Sequence, residues 1–185
     1  MTDYLVVSAV AGEARYVPEE LPVLIVGVGK TQAAVAVSRA LAARDTSDLV
    51  VLNVGTTGAL RDGLSGIYLP SAVVNHDLNA DAIRALGLDP QEELPVDGGD
   101  GTVLASGDVF VADPAVRDRL AERAHLVDME AYGVVYACRE FGVPVKVVKH
   151  VSDSADGDAY DWPTLVDHSA KALGEWLSHY LKQAT

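Results

Sequence analysis

The stretch Leu49-Val50-Val51-Leu52-Asn53-Val54-Gly55-Thr56-Thr57-Gly58 decides the reading of the fold. Its apolar opening has the length and Val content of a buried strand, and its Gly- and Thr-rich close reads as that strand's carboxyl end. Upstream, Leu5 to Val10 and Pro22 to Val28 are similar short runs, the second ending in Gly27-Val28-Gly29. Between these and Leu49, Thr31 to Arg44 carries Ala33, Ala34, Val37 and Leu41 at helical spacing. Downstream, Ile67 to Val74 reads as one strand, residues 87 to 101 as a surface loop rich in Gly, Pro and acid, and Thr102 to Ala105 as a short strand. Asp113-Pro114 opens a charged helix, with Asp as cap and Pro at the first helical position. Glu130 to Phe141 reads as a helix and Val143 to Val151 as a strand. From about Pro163 to Lys182 a last helix sets Leu173, Trp176, Leu177, Tyr180 and Leu181 on one face. The alternation predicts an α/β fold with helices packed on a sheet. No repeat or linker divides residues 1–185, so one domain is expected. In such folds ligands sit at the carboxyl ends of strands.

The 185 residues are enough for one core that buries about 70% of the surface an unfolded chain exposes. Basic residues number 14 and acidic 27, a net charge of −13, which argues against nucleic-acid binding and against an anionic membrane surface. The single cysteine, Cys138, allows neither an internal disulfide nor a Cys-rich zinc site, and a reducing cytoplasm is the expected home. Met1-Thr2-Asp3-Tyr4 carries an acid where a signal peptide would carry Lys or Arg, and no apolar run approaches the ~20 residues of a membrane span.

Several motifs start and fail. Gly29-Lys30-Thr31 has the tail of a phosphate-binding loop, but Leu24 stands where its first glycine belongs. Gly27 and Gly29 begin a dinucleotide fingerprint, but Gln32 replaces its third small residue. An EF-hand loop placed on Gly157 would need acids at Ser152 and Pro163, so Ser152 to Asp158 reads as a solvated acidic loop, Asp158 and Asp161 with it. His76-Asp77 follows a strand without a second ligand nearby; it is a base, a ligand or a hydrogen-bonded loop pair.

Three carboxylates stand out by position. Glu13 follows the first strand and Ala9-Val10-Ala11-Gly12. Glu130 sits at a strand–helix junction in Val127-Asp128-Met129-Glu130-Ala131. Asp153 ends Val147-Val148-Lys149-His150-Val151-Ser152. A carboxylate at a strand end beside apolar residues is where desolvation can raise a pKa and make a general acid.

These segments together resemble the purine nucleoside phosphorylase and nucleosidase superfamily, in particular the methylthioadenosine/S-adenosylhomocysteine nucleosidases. The matching pieces are Ser8 to Glu13, Gly27 to Lys30, Asn53 to Gly58, His76-Asp77, Ser106 to Val111, Val127 to Ala131 and Val151 to Asp153, in the family's order. The resemblance implies a three-layer α/β/α fold with a mixed central sheet, and a nucleosidase needing no metal or organic cofactor. It implies that Asp153 protonates or hydrogen-bonds N7 of a purine leaving group and that Ser152 positions it. Glu130 would grip the ribose hydroxyls with Met129 packed on the sugar, and Glu13 would orient the attacking water. Phe110 would stack on the base, the Val111 backbone would read its edge, and Thr56 would lie near sugar and nucleophile. Gly58, Asp128 and His76 fall in the same substrate-binding segments.

Hydrolysis is favoured over phosphorolysis, because Glu13 would repel a phosphate and activate water, and the nearby cations are Arg61, Lys30 and Lys149. A phosphorylase, or a catalytically silent nucleoside-binding member, remains the alternative. Lys149 stands where these nucleosidases usually have arginine, Asp128 where they have glutamate, and Thr56-Thr57 where they have Ser-Ala. The segments from Glu13 to Leu21 and from His76 to Ser106 are short, so the 5′ substituent is left open. The family implies a homo-oligomer, a dimer, with Trp162, Trp176, Tyr132 and Tyr136 as interface aromatics or as core.

Overall fold

The protein is described by a computed structural model over residues 2–156 and 162–184. The loop residues Asp158 and Asp161 lie outside the described residues. Strand β3 (Leu49–Ala59) is the axis of the fold. Its odd residues Leu49 and Val51 face one layer and its even residues Leu52 and Val54 the other, as a period-two strand buried on both faces requires. Along its first half β3 pairs in parallel with β1 (Asp3–Ser8), which in turn holds β2 (Val23–Ile25). Along its other edge it pairs in parallel with β9 (Val145–Asp153), and its far end meets β8 (Leu126–Asp128) antiparallel. From β8 the sheet continues through β7 (Val103–Ser106) and β5 (Ala72–Asn75) to β6 (Glu93–Pro95), while β4 (Ile67–Tyr68) pairs with β9. The result is a mixed nine-stranded sheet with helices on both faces, the expected class.

One face is covered by α1 (Lys30–Ala42) and α4 (Ala131–Glu140). Ala33, Val37 and Leu41 of α1 and Val134, Ala137 and Cys138 of α4 share a core with Leu5, Val7, Leu49 and Val51. The other face is covered by α5 (Trp162–Ala184), whose Leu173 and Leu177 are fully buried against Val6, Leu52, Val54 and Val148. Trp176 stacks on Tyr180 at 4.9 Å and Tyr132 on Tyr136 at 6.1 Å, both pairs lying partly buried against core clusters. Asp113 caps α3 (Pro114–Ala121) by accepting from the Ala115 N–H at 2.8 Å, as its sequence predicts. No described helix is long and apolar enough to cross a membrane.

Two readings are corrected. Ile67 to Val74 is not one strand: Pro70, without an N–H, interrupts it, so β4 pairs with β9 and β5 with β6 and β7. Residues 87 to 101 are not all surface loop. They contain β6, whose Leu94 is buried beside Val73 and Leu104, and α2 (Ala80–Ala85) precedes them, capped by Asn79.

The two helices of the first layer touch at Gly133, where an added Cβ would collide with the Lys30 carbonyl oxygen. Gly133→Ala is therefore expected to cost about 1–3 kcal/mol by overpacking despite Ala's better helix propensity, read as a lower urea midpoint at unchanged m.

Candidate active site

The carboxyl ends of β1, β3, β8 and β9 open into one cleft of about 220 Å³. Glu13, Thr56, Gly58, Phe110, Val111, Asp128, Met129, Glu130, Ser152 and Asp153 all line it. The three carboxylates singled out by position, separated by up to 140 residues in sequence, are thus brought to one place. Each is held differently.

Glu13 is buried in the turns after β1. Its Oε1 accepts from both the backbone N–H and the hydroxyl of Thr56, each at 2.7 Å, and its Oε2 accepts from Ser8 Oγ at 3.2 Å. Gly55 makes this approach possible: a Cβ there would lie 3.3 Å from both Glu13 Oε1 and Lys149 Nζ.

Glu130 is the N-cap residue of α4, yet its side chain does not cap that helix. Asp128 accepts from the Ala131 N–H at 3.0 Å and Ser106 Oγ from the Tyr132 N–H at 3.1 Å, satisfying two of the helix's free donors. Glu130 Oε1 is thereby released to accept from the Gly29 N–H at 2.9 Å. Gly29, at φ 99°, starts α1 in the left-handed region that favours glycine. Burial, then the neighbouring Asp128 charge, push the Glu130 carboxyl up from 4.5 to about 7, against the pull of Lys149 and the Gly29 N–H.

Asp153 is aimed by an irregularity. The β3–β9 register shifts between Thr57 and Gly58, so that Thr57 faces Val151 and Gly58 faces Asp153, with Ser152 the extra residue. Ser152 Oγ donates to Asp153 Oδ2 at 2.7 Å and the Ala155 N–H donates to Oδ1 at 2.9 Å. Ala155 is buried with φ 51°, a left-handed non-glycine residue, and a Cβ at Gly58 would come within 2.9 Å of its Cβ. Gly58 therefore serves as the surface on which the Asp153 turn rests.

Beneath the cleft lies Lys149, 2% exposed, with Nζ 2.8 Å from Asp128 Oδ2. Burial is the largest single influence and pushes its pKa down, but Asp128, Glu13 and Glu130 together outweigh it and hold the ammonium above its ordinary value. Asp128 lines the cleft, but its oxygens are already engaged by Lys149 and the Ala131 N–H.

His76 is not brought into the cleft. Its backbone N–H bonds to the Ser106 carbonyl at 3.1 Å and its ring lies against Gly107, and none of these residues lines the cleft. Burial lowers its pKa against the opposing Asp77 charge. Its neighbour Asp77 joins Lys30, whose Nζ also donates to Asn75 Oδ1 at 2.6 Å, while Asp108 accepts from the Lys30 N–H at 2.8 Å. Trp162, read from sequence as interface or core, instead walls the cleft and donates its indole N–H to Thr56 Oγ1 at 2.8 Å. A signal for it existed. It precedes Leu173 by eleven residues, about three turns with some 20° of phase, so the apolar face of α5 extends to it.

The family model described as Phosphorylase superfamily matches residues 100–182. Over 189 aligned residues the chain is 27% identical to a 5′-methylthioadenosine/S-adenosylhomocysteine nucleosidase of Staphylococcus carnosus, covering 89% of this chain and 82% of that protein. Over residues 100–182 the chain is thus similar to the phosphorylase superfamily. The chain is also 36% identical over 111 residues to an ATP nucleosidase of Escherichia coli, covering 52% of this chain and 21% of that protein. Among solved structures, Helicobacter pylori 5′-methylthioadenosine/S-adenosylhomocysteine nucleosidase, as a mutant with 5′-methylthioadenosine in its active site, superposes with a TM-score of 0.86. Identity there is 21%, over 99% of both chains, so the two share a fold across nearly the whole of this one.

The raised Glu130 carboxyl has a thermodynamic consequence. With a folded value near 7 against 4.5, its contribution to stability is full below pH 4.5 and is lost as pH rises through about 7. Glu130→Gln is expected to flatten the fall of Tm across that window, measured by thermal unfolding at a series of pH values.

Proposed function

We propose that the chain is a nucleosidase that hydrolyses the N-glycosidic bond of an uncharged purine nucleoside or 5′-substituted adenosine. The observation that carries this reading is the convergence of Glu13, Glu130 and Asp153 on one cleft whose remaining wall is mostly apolar. Breaking C1′–N9 sends its electron pair to the purine and builds oxocarbenium character on the ribose. Asp153, set by Ser152 and the Ala155 N–H, supplies a proton or hydrogen bond to N7. Glu130 has Oε1 on Gly29 and offers Oε2 to the ribose hydroxyls, its ionised form, populated above about pH 7, favouring the cationic sugar. Met129 packs on that sugar, Phe110 stacks on the base, and the Val111 backbone reads the base edge. Glu13 orients the water and takes its proton as the C1′–O bond forms. The division of labour parallels that of glycosidases, where two carboxylates split the acid and water-activating roles.

The fate of the nearby cations supports water over phosphate as the nucleophile. Lys149 is buried on Asp128. Lys30 is engaged by Asn75 and Asp77, and Arg61 donates to the carbonyls of Ala121 and Ala124 at 3.1 Å. No lysine or arginine lines the cleft among the described residues. An anion would meet Glu13 and Glu130 with no open cation opposite.

The test is a product assay with adenosine, inosine, guanosine, methylthioadenosine and S-adenosylhomocysteine, with and without phosphate. Free base and ribose without phosphate are expected, and base released only with phosphate, as ribose 1-phosphate, would overturn the hydrolytic reading. Asp153→Asn is expected to lower kcat by about 10²–10⁴-fold with the fold retained by circular dichroism.

A further inference from the structure

We propose that Trp162 is a positioning residue for Glu13, acting through Thr56; the catalytic meaning of this rests on the hydrolase reading above. An indole N–H can donate and cannot accept, whereas a threonine hydroxyl carries one proton and two lone pairs. Trp162 Nε1 lies 2.8 Å from Thr56 Oγ1, and Thr56 Oγ1 lies 2.7 Å from Glu13 Oε1. The indole donor occupies the hydroxyl's accepting side, so the single hydroxyl proton is directed to Glu13. The direction of the relay is fixed by its first member.

Two consequences follow for the site. Thr56 devotes both its backbone N–H and its hydroxyl proton to Oε1 of Glu13. Its hydroxyl therefore acts on a nucleophile through Glu13 rather than by donating to it. Oε2, with the longer 3.2 Å bond from Ser8, is then the oxygen with a lone pair to offer a water. The three partners come from the β1-following turns, β3 and the start of α5, so the relay also ties α5, on its own face of the sheet, to the cleft. Replacing Trp162 by Phe keeps a ring in the wall but removes the donor, and the Thr56 hydroxyl is then free to turn away from Glu13.

The test is a double-mutant cycle on the whole chain with Trp162→Phe, Thr56→Val and the pair, using a nucleoside that the wild type cleaves. Loss of one hydrogen bond predicts that Trp162→Phe lowers kcat about tenfold, with KM changed much less. If Trp162 acts through Thr56, the double variant is no slower than Thr56→Val alone. Losses that multiply in the double variant would mean that Trp162 serves as packing, and would overturn the proposal. A second measurement does not need activity: the ¹H–¹⁵N indole resonances of Trp162 and Trp176. Thr56→Val is expected to shift the Trp162 signal and speed its solvent exchange while leaving Trp176 in place, and Thr56→Ser to keep the Trp162 signal where it is. An unmoved Trp162 signal in Thr56→Val overturns the relay. A wild type that releases no base overturns the hydrolase reading instead, and the indole signals still decide the bond.

Discussion

The buried ion pair between Lys149 and Asp128 is the constraint on which the rest of the site depends. Both side chains are almost wholly out of water, at 3% and 2% exposure. Removing two charges from water costs several kcal/mol each, and their attraction repays this only when geometry and further hydrogen bonds are good. Here the Ala131 N–H supplies a further bond to Asp128, while Glu13 and Glu130 lie close enough to raise the ammonium's pKa. One cation therefore sits among three carboxylates, and it lets them share a small, mostly apolar space. The same pair joins β9 to β8, two strands that do not hydrogen-bond to each other along the sheet path.

From this follows the difference between the carboxylates. Glu13 is wrapped by Ser8 and Thr56. Asp128 is consumed by Lys149 and the first turn of α4. Glu130, buried and with the like charge of Asp128 beside it, is pushed up to about 7 against the pull of Lys149 and its one backbone donor. Environment, not residue type, sets these carboxylates apart. The crowding of negative charge gives the cleft its electrostatic character, because no lysine or arginine lines it among the described residues.

Much of the fold was legible because its signals are local. Asp113-Pro114 announces α3, the Leu173–Leu177 stripe announces α5, and the apolar runs around Leu5, Leu49 and Val147 announce the three strands at the centre. The misreadings arise where pairing partners decide. Ile67 to Val74 has strand-like composition throughout, and only the sheet reveals that its two halves join different neighbours across Pro70. β6 is three residues long and hides in a polar segment, recognisable by Leu94 alone. The site follows the same rule. Glu13, Glu130 and Asp153 could be named because strand ends attract function in this class of fold. The engagement of Asp128 and the exclusion of His76 depend on contacts far apart in sequence, which no local pattern encodes, and for Trp162 the helical phase marks the face but not the bond to Thr56, 106 residues away.

If Lys149 holds the carboxylates together, the stability of Lys149→Met, measured by chemical denaturation at slightly acid and slightly alkaline pH, shows it. Methionine keeps the length of the side chain and removes its charge. A loss of about 3–5 kcal/mol is expected on the alkaline side, shrinking on the acid side, where Glu130, pushed up to about 7, takes up its proton and leaves less negative charge without a cation. A Lys149→Met variant as stable as the wild type at both pH values would contradict it, and would mean that the three acids share the cleft without the cation beneath them.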